Sequence, residues 1–324
     1  MIFHVSRHLF APGAARVTDL IALLRAAAWR GHTLMVIDDP ARAEADTSVA
    51  LVQWAEILTS PLRIEVMWLL EAVERITPNA ATRGSPCIWV AQNPAATPTP
   101  QYQAQLDLQA AIRLAAMPLL ILVENALSDG EFLRRTLPKN WRTKFIEWER
   151  DGFVQFEHGG GVGELKRIVE HCARGTGDPL GLGQAVWRCA HLVISDRDST
   201  DEQAGAPSTA VTQLRTSCSN ARMTDRLHVL LRRDQESYLP REAVDQIIAS
   251  KTDARLREQM TALIDLHFAN PTRHHAKMPA LGQSSWFKNA FLEHGALPWQ
   301  DDWFARDGSE PEMIDLAERI AAFL

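Results

Sequence analysis

The first hundred residues alternate between short apolar runs and longer amphipathic ones. Residues 1–5 and 33–37 are compact strand-like runs, and the second is closed by Asp38-Asp39-Pro40, a turn signal. Between them Val17, Leu20, Ile21 and Leu24 recur at helical spacing. Residues 64–76 predict another helix, and 87–91 a buried strand. Residues 92–101 then bring three prolines in ten positions, which no regular element accommodates, so they predict a linker or an exposed loop. A helix over 106–116 leads into the next part of the chain.

From Pro118 the alternation sharpens. Residues 119–124 predict a strand, followed by a helix over 128–135 with Ser128 as its N-cap. Residues 153–157 predict a second strand, which runs into His158-Gly159-Gly160-Gly161-Val162-Gly163. Leu165, Ile168, Val169 and Cys172 then mark an amphipathic helix. Residues 191–194 and 227–231 predict two more strands, separated by a helix over 209–222. Beyond Pro240 the spacing is helical (Val244, Ile247 and Ile248, then Leu256, Met260, Leu263 and Ile264). No internal sequence repeat is visible. Strands alternating with helices predict an α/β fold with a parallel sheet flanked by helices, whose site lies at the C-terminal ends of the strands. The expected divisions are an N-terminal α/β region over residues 1–101, a second α/β domain over 102–240 and a mainly helical extension over 241–324.

Composition narrows the classes. The 324 residues are 46% apolar and 23% charged, an ordinary globular balance that excludes disorder along most of the chain. The apolar run over 117–123 is far shorter than the roughly 20 residues of a membrane span. The N-terminus lacks the pattern of a secretory signal. Cys87, Cys172, Cys189 and Cys218 form no CxxC pair, which predicts buried thiols in a reducing cytoplasm. A net charge of −6 means that nucleic acid could be held only by local basic patches or through bridging cations.

Three of the predicted strands end in acids. Glu124 closes the first, Asp196 and Asp198 the third, and Asp234 and Glu236 follow the fourth. One strand-end aspartate is usually a cap or turn residue. Several converging carboxylates repel one another unless a cation sits among them, and hard oxygen ligands suit Mg²⁺ or Mn²⁺ with phosphate as co-ligand. That chemistry is metal-assisted attack on a phosphodiester.

The order VENALSDGEFL, VQFEHGGGVGELKRIV, HLVISDRDST and LHVLLRRDQESYLP resembles the Toprim domain of nucleases related to the overcoming-lysogenization-defect family, and of bacterial anti-phage effectors built on the same unit. The resemblance covers about 118–240 and extends towards RHHAKMPAL at 273–281. It implies a Toprim-like sheet and a metal-dependent nuclease of DNA or RNA. Glu124 would be a metal ligand or general base, Asp196 and Asp198 principal metal ligands, and Glu236 a holder of a second metal or an organiser of the site. Asp129 matches the acid of the family's Ser-Asp element, one residue further from Glu124 than usual and with Asn125 in place of a glycine. Lys277 would be the transition-state cation. The implied partners are a nucleic-acid substrate, a separate ATPase or sensor chain, and a second copy in a homodimer, with no membrane.

Other motifs compete. The glycine run fits neither GxGxxG nor GxxxxGK[ST], so it predicts a tight turn, with a substrate phosphate able to rest at the following helix start. Trp141, Phe145 and Trp148 share a helical face beside Lys139, Arg142 and Lys144, a stripe that predicts core packing more than base stacking. Arg273, His274, His275, Lys277 and Lys288 form the better substrate-facing patch. Residues 196–200 also read DxDxT, the first motif of haloacid-dehalogenase phosphatases, where the first aspartate is a nucleophile. A third class is a catalytically inactive Toprim-like scaffold or nucleic-acid sensor.

Overall fold

A strand that is apolar along its whole length must be covered on both faces, and this places the elements of the chain. The computed structural model describes the backbone of residues 1–38, 47–82, 85–93, 101–174, 183–199, 205–281 and 286–324. In chain order these form β1 (Ile2–Ser6), α1 (Val17–Arg30), β2 (Thr33–Ile37), α2 (Thr47–Glu56), α3 (Ser60–Thr82), β3 (Cys87–Val90), β4 (Ala104–Leu106) and α4 (Leu108–Ala116). There follow β5 (Leu119–Val123), α5 (Ala126–Thr136), α6 (Lys139–Arg150), β6 (Val154–His158), α7 (Val162–Ala173), α8 (Gly183–Ala190), β7 (His191–Ser195), α9 (Thr209–Asn220) and β8 (Leu227–Val229). The C-terminal run is helical: α10 (Arg241–Ala249), α11 (Ala254–Ala269), α12 (Ala290–Glu293), α13 (Asp301–Arg306) and α14 (Glu310–Phe323). Asp39-Pro40, most of the proline-rich stretch and Thr200 lie outside the described residues. No described helix is long and apolar enough to cross a membrane.

The chain divides into two compact units. The first comprises Met1–Leu119, His171–His191 and Glu318–Leu324, so it runs past residue 101. The second comprises Leu120–Glu170 and Leu192–Ala317. In the first, a parallel sheet has the order β2-β1-β3-β4, with Phe3 opposite both Leu34 and Ile88. Phe3 and Val5 belong to its main core with Leu20, Leu24, Val66 and Leu114, where helical apolar stripes meet one face of the sheet. His4 alternates to the other face, where its Nδ1 lies 3.1 Å from the Tyr102 hydroxyl. The short β4 precedes a helix that begins later than its apolar spacing predicts. Asp107 caps α4 by accepting from the Ala110 N–H at 2.7 Å, which fixes the start.

The sheet of the second unit has the order β6-β5-β7-β8. All five residues of β5 and of β7 are buried, as befits central strands, while only Val154 is buried in the edge strand β6. Both sheets therefore follow one winding, in which the second strand flanks the first on one side and the third and fourth extend on the other. Two expectations are corrected locally. The N-cap of α5 is Asn125 and not Ser128: its side-chain oxygen accepts from the Leu127 and Ser128 N–H groups at 3.1 and 3.4 Å. The fourth strand stops at Val229, because the chain turns off after Leu230 bonds back to the Ser195 carbonyl. In α6 only Phe145 is fully buried, edge-on to Phe156, while Trp141 and Trp148 are half-buried with Lys144 over the Trp141 ring.

Candidate metal centre

Because β6 and β7 lie on opposite sides of β5, the loops leaving β5 and β7 diverge and open a crevice at their C-terminal ends. Glu124 leaves β5 there and Asp196 leaves β7. Asp129 comes from the first turn of α5, and Asp234 and Glu236 follow β8. With Asp198 these acids line a single cleft of ≈ 650 Å³, together with Lys277 and Lys288. Residues far apart in the chain thus meet at one sheet edge.

The strand neighbours carry the most strained charges. Glu124 Oε1 and Asp196 Oδ1 are both shut off from solvent, and neither has a hydrogen-bond partner among the described residues. Burial pushes Glu124 up to about 7, and the charges of Asp198 and Asp129 add to it. Backbone donation from Asp196 and Val162 offsets part of that rise. Asp196 is driven well above the carboxylate range by burial first, then by Glu124, Asp234, Glu236 and Asp129. Two carboxyls so placed must share protons or a cation.

The remaining acids have partners. Asp129 Oδ2 accepts from the Asn125 N–H at 3.0 Å, and Oδ1 accepts from the Ser128 hydroxyl at 2.9 Å and the Gln235 amide at 2.6 Å. The Asn125 cap starts α5 early enough to carry the longer Glu124–Asp129 spacing and still bring Asp129 into the cleft. Asp234 Oδ1 accepts from the Ser237 N–H and hydroxyl at 3.0 and 2.6 Å, and its Oδ2 lies 3.5 Å from Arg233 Nε. Burial raises Asp234 and Glu236 as well. Glu236 Oε1 accepts from the Asn289 N–H at 3.3 Å. Asp198 (φ 48°) and Asn289 (φ 56°) are both left-handed, a conformation that Asp and Asn tolerate better than most residues. The Asp198 N–H bonds the Arg233 carbonyl at 2.7 Å, tying the loop after β7 to the one after β8.

The glycine run is a tight turn. The Gly159 N–H bonds the Val123 carbonyl at 2.7 Å, and the Gly160 N–H bonds the Glu124 carbonyl at 3.0 Å. A Cβ on Gly159 would stand 2.2 Å from Leu165 Cδ2 and 2.9 Å from the Val123 oxygen, so only glycine permits this approach. The Val162 N–H at the start of α7 donates to the Glu124 carboxylate, an anion of the chain's own where a substrate phosphate was expected to rest.

The basic patch separates into two parts. Lys277 and Lys288 line the cleft, whereas Arg273, His274 and His275 are absent from its lining. Arg273 bonds Asp307 and the His274 Nδ1 and lies over the Phe268 ring at 4.7 Å. Burial, reinforced by Arg232 and Arg273, pushes His274 down to about 4. Burial also lowers His275, with the Arg197 and Arg232 charges adding. Asp307, Arg232 and Arg197, which act on these groups, come from distant segments, which a local charge cluster does not reveal. Conversely, His158, Asn125, Asn289 and Gln235 line the cleft without having been expected there. Of these only Asn289 lacked a local signal, since His158, Asn125 and Gln235 each sit inside a motif already singled out.

Among the described residues no three Asp, Glu, His or Cys side chains form a ready-made metal cage. The donor set nonetheless fits a hard cation, because Mg²⁺ keeps several waters and takes one or two carboxylates plus substrate phosphates. Two buried, unpartnered carboxylate oxygens on adjacent strands supply that minimum. Set beside protein-family models, curated proteins and solved structures, the chain has no match in any of the three.

Proposed function

We propose that the chain is a divalent-metal-dependent nuclease that hydrolyses phosphodiester bonds in DNA or RNA. The observation that carries this reading is the pair of bare, buried oxygens of Glu124 and Asp196 inside a cleft that also holds Lys277 and Lys288. Glu124, Asp196 and Asp198 would hold Mg²⁺ or Mn²⁺, which when bound activates water and neutralises charge on the leaving oxygen. The two lysines offer the phosphate positive charge inside a cleft whose other charged groups are acids. Gln235, Ser128 and Asn125 orient Asp129 in the same wall. The motif order that resembles Toprim nucleases supports nucleic acid as substrate, and with it a role against phage.

The test is cleavage of plasmid DNA, single-stranded DNA and total tRNA with Mn²⁺, Mg²⁺ or EDTA, comparing wild type with Asp196→Ala. Metal-dependent cutting that is lost in a folded variant is the expected result, and the substrate that is cut names the class. Phosphatase activity on small phosphate esters without nuclease activity would replace this reading with the dehalogenase-like one. Binding of nucleic acid without turnover of either substrate would replace it with the scaffold.

A further inference from the structure

We propose that the outer face of α1 and α3 is where a second copy of this chain docks, the two copies meeting antiparallel about a two-fold axis. The face belongs to the first unit and shares no residue with the acidic cleft, so it stands whether or not the chain is a nuclease.

An amphipathic helix buries one stripe and leaves the opposite one polar. The first half of α3 is apolar on both. Val66, Leu70 and Val73 join the core of the unit, while Ile64 (64% exposed), Met67 (40%) and Trp68 (78%) point to solvent. On α1, Leu20, Leu24 and Ala27 face the same core and Trp29 stands 76% exposed. With Ile57, directly after α2, these are all the large apolar side chains that the first unit exposes among the described residues. Single exposed apolar residues are ordinary, but a cluster confined to one layer of helices marks an interaction surface.

The face carries both halves of a self-complementary contact. Ile64 and Trp68, four residues apart, form a ridge on α3. Beside it lies a groove of ≈ 700 Å³ over Ala22 and Ala26 of α1, bounded by Trp29, Leu69, Ile112 and Ala116. A ridge next to a groove suits a two-fold contact, because each copy offers what the other lacks. Two tryptophans exposed to this degree, with Ile64 and Met67, present roughly 550 Å² of side chain, most of the about 800 Å² that each partner gives to a stable interface. Charge agrees with a second copy as the occupant. Arg25 is bound to Glu65, and the Arg30 guanidinium donates to the Ala116 carbonyl at 2.9 Å, so the cations of the groove are already engaged within one copy. At the rim, the exposed Arg63 and Glu71 lie one turn before and one turn after Met67. Antiparallel copies set Arg63 of one against Glu71 of the other, twice over.

The experiment is sedimentation velocity of the full chain across the micromolar range, in a reducing buffer so that the free cysteines form no cross-link. A dimer that dissociates on dilution is expected. Trp68→Glu, its fold verified by circular dichroism, should weaken the dimer roughly 30-fold or more, the loss that follows removal of a central aromatic anchor. Arg63→Glu should weaken it several-fold, and Arg63→Glu combined with Glu71→Arg should restore it. A dimer unchanged by Trp68→Glu would overturn the choice of surface. A charge-swapped pair that dimerises no better than Arg63→Glu alone would overturn the antiparallel pairing. A wild type that stays monomeric throughout would overturn the proposal as a whole. If that monomer then floats with phosphatidylcholine vesicles and Trp68→Glu does not, the face belongs to a lipid surface instead.

Discussion

The Gln235 side-chain amide donates a 2.6 Å hydrogen bond to Oδ1 of Asp129, joining the loop after β8 to the first turn of α5. Gln235 sits between two acids, Asp234 and Glu236, yet it turns to a third. A hydrogen bond to a charged acceptor is worth about 1.5–3 kcal/mol, and this one also fixes which way the carboxylate faces. Gln235→Ala is expected to lower kcat about tenfold while KM changes little. Gln235→Glu, which sets a second carboxylate against Asp129, is expected to be worse than the alanine. Steady-state cleavage kinetics of the two variants decide the point, and the reverse order would mean that the bond does not orient the site.

Glu124 and Asp196 predict an unusual pH response. The folded value of Glu124, about 7, lies above its ordinary value, so between roughly pH 4.5 and 7 the folded chain holds a proton that the unfolded chain has released. Stability of the metal-free protein must therefore fall as pH rises through that window, by at most about 3 kcal/mol from this residue. Asp196 shifts in the same direction and adds to the fall. Thermal unfolding in EDTA should give a lower Tm at pH 8 than at pH 5. Mg²⁺ should recover the loss at pH 8, and Glu124→Gln should flatten the slope. A Tm in EDTA that rises with pH across this range would contradict the electrostatics of the cleft.

Two glycines of one run should behave oppositely. Gly159→Ala forces a Cβ into Leu165 and the Val123 carbonyl, and backbone cannot yield as a side chain does, so a loss of about 2 kcal/mol or more is expected. Gly163 has nothing within 4 Å of where its Cβ would stand and lies in the first turn of α7. Gly163→Ala should be neutral or stabilising by roughly 0.5 kcal/mol. Urea unfolding of the pair reads both signs.

Arg273 and Lys277 lie four residues apart in the chain and should separate cleanly by role. The Arg273 guanidinium is mostly buried against Asp307, so Arg273→Ala should cost about 3 kcal/mol of stability and leave nucleic-acid affinity unchanged at a temperature where it is folded. Lys277 is exposed in the cleft, so Lys277→Ala should leave Tm unchanged and reduce the salt dependence of nucleic-acid binding by about one phosphate contact. Fluorescence anisotropy at several salt concentrations, beside a melting curve, distinguishes the two.

The fold was legible because it follows from local periodicity. LLILV is apolar throughout and HLVIS at every position but its ends, and amphipathic stretches separate them. A parallel sheet with crossover helices is the arrangement that buries both kinds of segment. Glu124, Asp196 and Asp198 could be placed from sequence because an acid directly after such a strand has to emerge at the sheet's C-terminal edge. The repeated winding of the two sheets was not legible, since strand order depends on which edges pair and not on the pattern within any strand.

What the sequence alone determined, then, is the set of acids brought to one edge; what only the tertiary structure decided is the state of each. Asp129 faces the cleft because Asn125, and not Ser128, caps α5, a choice between two good capping residues that depends on where the chain leaves β5. Arg273 and His274 look like a substrate patch until Asp307, from another segment, claims the guanidinium. Glu124 and Asp196 read like any strand-end carboxylates until burial leaves one oxygen of each without a donor. Desolvation and hydrogen-bond satisfaction depend on everything that surrounds a group in space, and for these residues the surroundings come from segments far away in the chain.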